Sequence, residues 1–88
     1  MTSTILIVED EPTLRIGTEQ FLRQRGFAVV TATSSEEALK KCSEADVIIL
    51  DIMLPGMSGI ETLHQIRQTS DVPVLMLTAL HDEPTQIA

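Results

Sequence analysis

The chain has almost no aromatic side chains: Trp and Tyr are absent, and Phe21 and Phe27 are the two phenylalanines among its 88 residues. It therefore lacks aromatic platforms on which nucleobases could stack. Cationic side chains are also few, with 6 Lys and Arg against 13 Asp and Glu and a formal net charge of −7. This balance argues against nucleic acid or an anionic membrane as a partner and leaves cationic ligands, including metal ions, open.

Cysteine and long apolar runs are scarce as well. Cys42 stands alone, which excludes an internal disulfide and the multi-cysteine zinc patterns and fits a reducing compartment. Aliphatic runs such as residues 5–8 and 47–50 are too short to span a bilayer, and residues 1–4 lack the basic start of a signal peptide. Ordinary globular composition, with 43% hydrophobic residues, then predicts one folded domain over residues 1–88 with a cytoplasmic location.

Short apolar runs alternate along the chain with patterns that start helices. Strands are predicted at 5–8, 27–32, 47–50 and 72–78, because each is a run of mainly aliphatic residues bounded by polar or turn residues. Helices are predicted from Pro12 and from two capping boxes, Ser34 with Glu37 and Ser58 with Glu61, and another is expected to begin within 81–88. The order β-α-β-α-β-α-β with short connections predicts a parallel sheet covered by helices on both faces.

Two of these helices show helical spacing in the sequence. The first has Leu14, Thr18, Phe21, Leu22 and Arg25 at this spacing, and in the third Ile60, Leu63 and Ile66 form one apolar stripe.

Polar side chains stand where the predicted strands end, which is where parallel α/β sheets place their sites. They are Glu9, Asp10 and Glu11 after the first strand, Asp51 after the third and Thr78 after the fourth. Acids gathered there repel one another unless they share a cation, and no Lys or Arg lies nearby in the sequence to neutralise them. Mg²⁺ is the natural candidate. An Asp beside Mg²⁺ can also attack phosphorus to form an acyl phosphate, and the Thr78 hydroxyl could donate to a phosphoryl oxygen.

Each of these residues also has an ordinary structural explanation. The acids after the first strand can be solvated or cap a helix, Asp51 can be a polar end to its strand, and Thr78 is a good strand former. Their combination favours a site, because in the strand order 2-1-3-4 three separate segments would deliver them to one crevice.

Three stretches closely resemble the receiver domain of bacterial two-component response regulators. They are Ile5-Leu6-Ile7-Val8-Glu9-Asp10-Glu11, Asp51-Ile52-Met53-Leu54-Pro55-Gly56-Met57-Ser58-Gly59 and Pro73-Val74-Leu75-Met76-Leu77-Thr78-Ala79. The resemblance implies a flavodoxin-like, doubly wound parallel sheet with strand order 2-1-3-4. The amino-acid sequence of the second stretch is most similar to that of regulators that join a receiver to a winged-helix DNA-binding domain.

The resemblance also implies the roles of the site residues. Asp51 would accept a phosphoryl group from a sensor histidine kinase, and Thr78 would sense that group and carry the switch. Mg²⁺ would be bound by Asp10, by Asp51 and by the backbone carbonyl of Met53, with Glu9 assisting through water. Such a domain assists its own phosphoryl transfer but is not a conventional enzyme.

The chain departs from the family pattern in two ways. Glu9 stands where the family usually has Asp, which should alter the surroundings of the metal more than its presence. The family's fifth strand, with its Lys, and its last helix are not found within residues 1–88, nor is an output domain, and the lysines present are Lys40 and Lys41. One edge of the fourth strand is therefore expected to be open, which favours self-association or a receiver–receiver dimer.

Two other functions remain open at this point. A Mg²⁺-dependent aspartyl phosphatase of the dehalogenase type would need an acid at position 53, where Met53 stands. A receiver-shaped interaction module that works without phosphorylation is supported by the missing Lys but not by the presence of Asp10, Asp51 and Thr78.

Overall fold

The computed structural model describes residues 2–52, 58–77 and 86–87. Up to β4 its strands and helices follow the predicted order, with a short 3₁₀ turn after the second helix. They are β1 (Thr4–Val8), α1 (Pro12–Gln24), β2 (Ala28–Ala32), α2 (Ser35–Lys41), the turn at Cys42–Glu44, β3 (Val47–Asp51), α3 (Gly59–Arg67), β4 (Val74–Leu77) and β5 (Gln86–Ile87). None of the described helices is both long and apolar enough to cross a membrane.

The strands form one sheet in the order β2-β1-β3-β4-β5, and the first four are parallel. The predicted strand order 2-1-3-4 is therefore confirmed. Val8 pairs with Ala32 on one side and with Leu50 on the other, and Asp51 pairs with Leu77. Because the strands are parallel and in this register, their carboxyl ends meet at a single edge.

The two faces of the sheet bury different sets of side chains, as the two-residue period of a strand requires. The larger cluster comprises Leu6, Val8, Ala32, Ile48, Leu50, Val74 and Met76 from the strands with Ala38, Cys42 and Ile66 from the α2 and α3 side. The smaller cluster, on the α1 side, comprises Ile5, Ile7 and Val29, with Leu22, Val47 and Ile49 partly buried against it. The core is therefore centred between the sheet and helices α2 and α3.

The helices bury less of their apolar faces than the sequence indicates. Helix α1 has no fully buried residue; Leu14 and Phe21 are 48% and 53% exposed, and Leu22 packs on the sheet. Helix α3 buries Ile66, but Ile60 is 63% exposed. Leu14, Phe21 and Ile60 therefore lie on the predicted helices but outside the core, because helical spacing locates a stripe without telling how far the neighbouring elements extend over it.

Helices α2 and α3 begin at the predicted serines. Ser34 Oγ accepts a hydrogen bond from the Glu37 amide at 3.2 Å, and Ser58 Oγ accepts one from the Glu61 amide at 3.1 Å. In the predicted capping box the Glu37 carboxylate would accept the amide of Ser34. It instead accepts the amide of Thr33, one residue earlier, at 2.6 Å.

The strand β5 differs from the prediction that residues 81–88 begin a helix. Gln86 and Ile87 instead pair antiparallel with Met76 and Leu75. The predicted open edge of β4 is thus occupied along these two residues. The unpaired N–H and C=O groups of a strand edge bind an extended segment directly, whereas the first turn of a helix is costly to nucleate.

Candidate metal centre at the carboxyl ends of the strands

Three carboxylates meet at the end of the sheet where β1 and β3 finish. Glu9, Asp10 and Asp51 each offer one oxygen, and these three oxygens all lie within 4.8 Å of one another. Asp51 is buried, with 3% of its surface exposed, while Glu9 is half-buried and Asp10 is exposed. The structure therefore brings together three of the residues that the sequence singles out, and they come from two separate segments.

The register of the sheet explains why Glu9 and Asp51 are neighbours. Val8 of β1 pairs with Leu50 of β3. The residues that follow them, Glu9 and Asp51, therefore lie side by side at the carboxyl edge of the sheet. The amide of Glu9 still donates to Ala32 O at 3.0 Å, which continues the β1–β2 ladder by one bond. Both acids are thus held by the main chain of the sheet.

Gly59, the first residue of α3, lies against the end of β3. The Gly59 amide donates to Ile52 O at 2.7 Å. A Cβ at this position would lie 2.5 Å from Asp51 O and 2.6 Å from the Ile52 Cα. Glycine is therefore required by the close approach of the two main chains directly behind Asp51.

The loop between β1 and α1 is shaped by main-chain amides that donate to the loop's own carboxylates. Glu9 Oε2 accepts the amide of Glu11 at 3.1 Å. Glu11 Oε2 in turn accepts the amide of Leu14 at 2.9 Å and caps α1. One acid thus shapes the loop and the next begins the helix, which leaves the Asp10 side chain exposed at the loop surface.

A basic residue lies beside the acids, contrary to what the sequence alone suggests. Arg15 Nη1 donates to Glu9 O at 3.2 Å and to Asp10 O at 3.4 Å. The signal was available in the sequence, because Arg15 lies in the first turns of α1, where long side chains lean back toward the helix N-terminus.

The pKa of Glu9 is raised from its ordinary value of 4.5 to about 7. Burial is the main cause, and the charges of Asp51 and then Asp10 add to it, while the hydrogen bond from the Glu11 amide acts in the opposite direction. A carboxylate that is hard to ionise beside two others is typical of an acidic cluster that binds a cation.

This shift predicts a pH dependence of stability. Because the pKa of Glu9 is higher in the folded state, its titration favours folding fully below pH 4.5, and the benefit is lost as the pH rises through about 7. Without divalent cations, the Glu9→Gln variant should gain stability relative to the unmodified protein over this pH range. Urea unfolding of both proteins at several pH values measures the difference; a constant difference between pH 4.5 and 8 would contradict the prediction.

The donor set fits Mg²⁺. This ion takes oxygen ligands at about 2.0–2.1 Å in an octahedron, so two of its ligand oxygens lie about 2.9 Å or about 4.1 Å apart. The three carboxylate oxygens lie within 4.8 Å of one another, which is close to these separations, so the acids are placed to share one ion. Two other predicted site residues, Met53 and Thr78, lie outside the described residues.

The two lysines of the chain, Lys40 and Lys41, are the last two residues of α2. Lys41 Nζ donates to Thr31 O at 2.6 Å and lies 3.7 Å from Glu37 Oε2, while Lys40 is exposed. Lys41 is therefore engaged at the side of the sheet where β2 lies.

Comparison with known proteins gives a consistent result. A family model described as the response regulator receiver domain matches residues 5–88. The transcriptional regulatory protein AfsQ1 of Streptomyces coelicolor is 40% identical over 82 residues, which cover 91% of this chain and 36% of that protein. The alkaline phosphatase synthesis transcriptional regulatory protein PhoP of Bacillus subtilis is 43% identical over 86 residues, covering 94% and 36%. The chain thus spans about a third of the length of these relatives.

Solved structures agree with this similarity. The response regulator protein TrrA of Thermotoga maritima, in complex with Mg²⁺-BeF, is 41% identical with a TM-score of 0.82, and the match covers 89% of this chain and 70% of that one.

Proposed function

The chain belongs to the response regulator receiver domain family, and from this premise we propose that Asp51 accepts a phosphoryl group from a sensor histidine kinase. The observation that carries the proposal is the position of Asp51, a buried carboxylate at the end of β3 with Glu9 and Asp10 beside it. A carboxylate confined in this way cannot be explained as a solvated strand end.

The chemistry is an in-line transfer to oxygen. A carboxylate oxygen of Asp51 would attack the phosphorus, and the new P–O bond would form as the bond from phosphorus to the donor's nitrogen breaks, leaving the donor imidazole free. Mg²⁺, when bound, supplies positive charge that offsets the negative charge of the phosphoryl oxygens. Asp10 and Asp51 would hold it directly, with Glu9 acting through water and Met53 through its carbonyl.

The wider assignments belong to the same proposal. Thr78 would donate its hydroxyl to the phosphoryl group and carry the signal to a partner surface. The relatives named above are transcriptional regulators, and on that basis we propose that the parent protein controls transcription from the cytoplasm. The domain would act as a phosphoacceptor rather than as an enzyme with turnover.

Labelling with a small phosphodonor tests this function. With Mg²⁺, a compound such as an acyl phosphate should add one phosphoryl group, seen as a single mass increase, and removing Mg²⁺ with a chelator should prevent it. A receiver-shaped module that works without phosphorylation would show no increase under either condition. Continuous hydrolysis of the donor without a stable adduct would instead favour the phosphatase alternative.

Mg²⁺ should stabilise the fold through Asp10. A ligand that binds only the folded state adds RT ln(1 + [L]/Kd), about 2.7 kcal/mol at a hundredfold excess over Kd. Asp10→Asn replaces one charged ligand, so we expect the variant to lose most of this increase. Thermal unfolding with and without Mg²⁺ measures it.

Asp71→Asn is the matched control for that experiment. Asp71 is exposed and precedes β4, at the opposite end of the sheet, so this variant should keep the full response to Mg²⁺. An undiminished response in Asp10→Asn would overturn the assignment of Asp10.

We also propose that two copies of the domain associate. The support is the α1 side of the sheet, where Val47 and Ile49 of β3 and Leu75 and Leu77 of β4 are only half-buried. Sedimentation velocity at increasing protein concentration should show a rising sedimentation coefficient; a constant monomer value would contradict the proposal.

A further inference from the structure

We propose that Arg15 is a positioning residue, which holds the main chain of Glu9 and Asp10 so that their carboxylates are set for Mg²⁺. This inference rests on the proposed function of the site and extends it to a residue on α1. Nothing in the acid motif itself points to Arg15, which lies five residues after Asp10.

The contact is made by one nitrogen to two consecutive carbonyls. Arg15 Nη1 lies 3.2 Å from Glu9 O and 3.4 Å from Asp10 O. The base of the side chain is itself fixed, because the Arg15 amide donates to Glu11 O at 3.0 Å in the first turn of α1. A guanidinium is always charged and donates only, so both carbonyls are drawn toward the same point.

Asp10 needs such a restraint more than its neighbours do. Glu9 is held by the β1–β2 ladder and Glu11 by its capping contact, whereas Asp10 lies exposed between them. Mg²⁺ tolerates little deviation from octahedral geometry. Groups that orient the ligands of a metal typically change its affinity 10- to 100-fold when they are replaced.

A role of Arg15 through its charge and a role through positioning the loop predict opposite changes in Mg²⁺ affinity when Arg15 is replaced. A nearby guanidinium repels a dication, so if Arg15 acted only through its charge, removing it would tighten Mg²⁺ binding. If Arg15 positions the loop, removing it weakens binding despite the lost repulsion. The sign of the change therefore separates the two roles.

The experiment measures Mg²⁺ affinity by calorimetric titration of the protein and its Arg15→Met and Arg15→Lys variants. Met keeps the apolar stem and removes the donors, and we expect about tenfold weaker binding. Lys keeps the charge and one donor group, and should restore part of the loss. Unchanged or tighter binding by Arg15→Met would overturn the proposal, as would equal losses in both variants.

Arg25→Met is the matched control. It removes the same charge from the other end of α1, where Arg25 stacks over the Phe21 ring at 4.6 Å. Its affinity for Mg²⁺ should equal that of the unmodified protein.

A second measurement, without Mg²⁺, keeps this inference separate from the function of the site. The Glu11 amide donates to Glu9 Oε2, so the rate at which this amide exchanges its hydrogen reports how well the loop is ordered. Arg15→Met should speed this exchange several-fold, and Arg25→Met should not. If the unmodified protein fails to bind Mg²⁺, the proposed metal site is wrong, and the exchange rates alone decide about Arg15: unchanged exchange in Arg15→Met refutes its role.

Discussion

Asp51→Asn should abolish phosphorylation by a small phosphodonor, whatever the Mg²⁺ concentration. Asparagine has the shape of aspartate but a neutral amide, which cannot act as the nucleophile toward phosphorus. Asp51 is the buried member of the acid cluster, at the end of β3, so we expect that the exposed Asp10 does not take over its role. Intact mass measured after incubation with donor and Mg²⁺ should show one added phosphoryl group on the unmodified protein and none on the variant.

Asp46→Asn is the control for the same strand. Asp46 precedes β3 at its opposite end, where its Oδ2 accepts the Thr4 amide at 2.8 Å. The Asn side chain keeps an acceptor oxygen for that bond, so this variant should be labelled like the unmodified protein. Persistent, base-labile and Mg²⁺-dependent labelling of Asp51→Asn would show that another carboxylate is the acceptor.

Gly59→Ala should destabilise the protein by about 3 kcal/mol, since a methyl group forced into a filled space costs about 1–3 kcal/mol or more. The added Cβ would meet Asp51 O at 2.5 Å and the Ile52 Cα at 2.6 Å. Both are main-chain atoms that cannot rotate away, so β3 or α3 must shift. A chain of this size has a total stability of only about 4–13 kcal/mol. Phosphorylation of Asp51 should fall as well, because the strand that carries it is displaced.

Gly17→Ala provides the matched control for this prediction. Gly17 lies inside α1, and a Cβ there would meet nothing within 4 Å. Alanine is the better helix former by about 1 kcal/mol, so this variant should gain stability. Urea unfolding of the three proteins gives the comparison. A loss below about 1 kcal/mol in Gly59→Ala would mean that the approach of α3 to β3 is looser than the structure indicates.

The sequence alone determined the parallel sheet and the places where its strands end. Four short aliphatic runs, each followed or preceded by polar residues, are typical of buried strands. Because these runs alternate with helix-capping motifs, few sheet topologies are compatible with the sequence. The serines that begin α2 and α3 were predictable for the same reason, since a helix cap is a contact within four residues. Features that depend on residue type and on short-range spacing can be predicted directly from the sequence.

The acid site was predictable only through topology. Glu9 and Asp51 are 42 positions apart, and nothing local links them. They become neighbours because β1 and β3 are adjacent and paired in the observed register, and strand order was inferred from the resemblance together with the rule that such sheets place their sites at strand ends.

Tertiary structure alone decided the contacts that depend on distances between elements. It showed that Leu14 and Phe21 remain exposed, that Gln86 and Ile87 pair with β4, that Arg15 reaches two carbonyls of the acid loop, and that Gly59 has no room for a side chain. Each is set by how closely two main chains or a helix and a sheet approach one another. Residue type and spacing state which face an element presents, but they do not state the separation of the elements, which results from packing of the whole core.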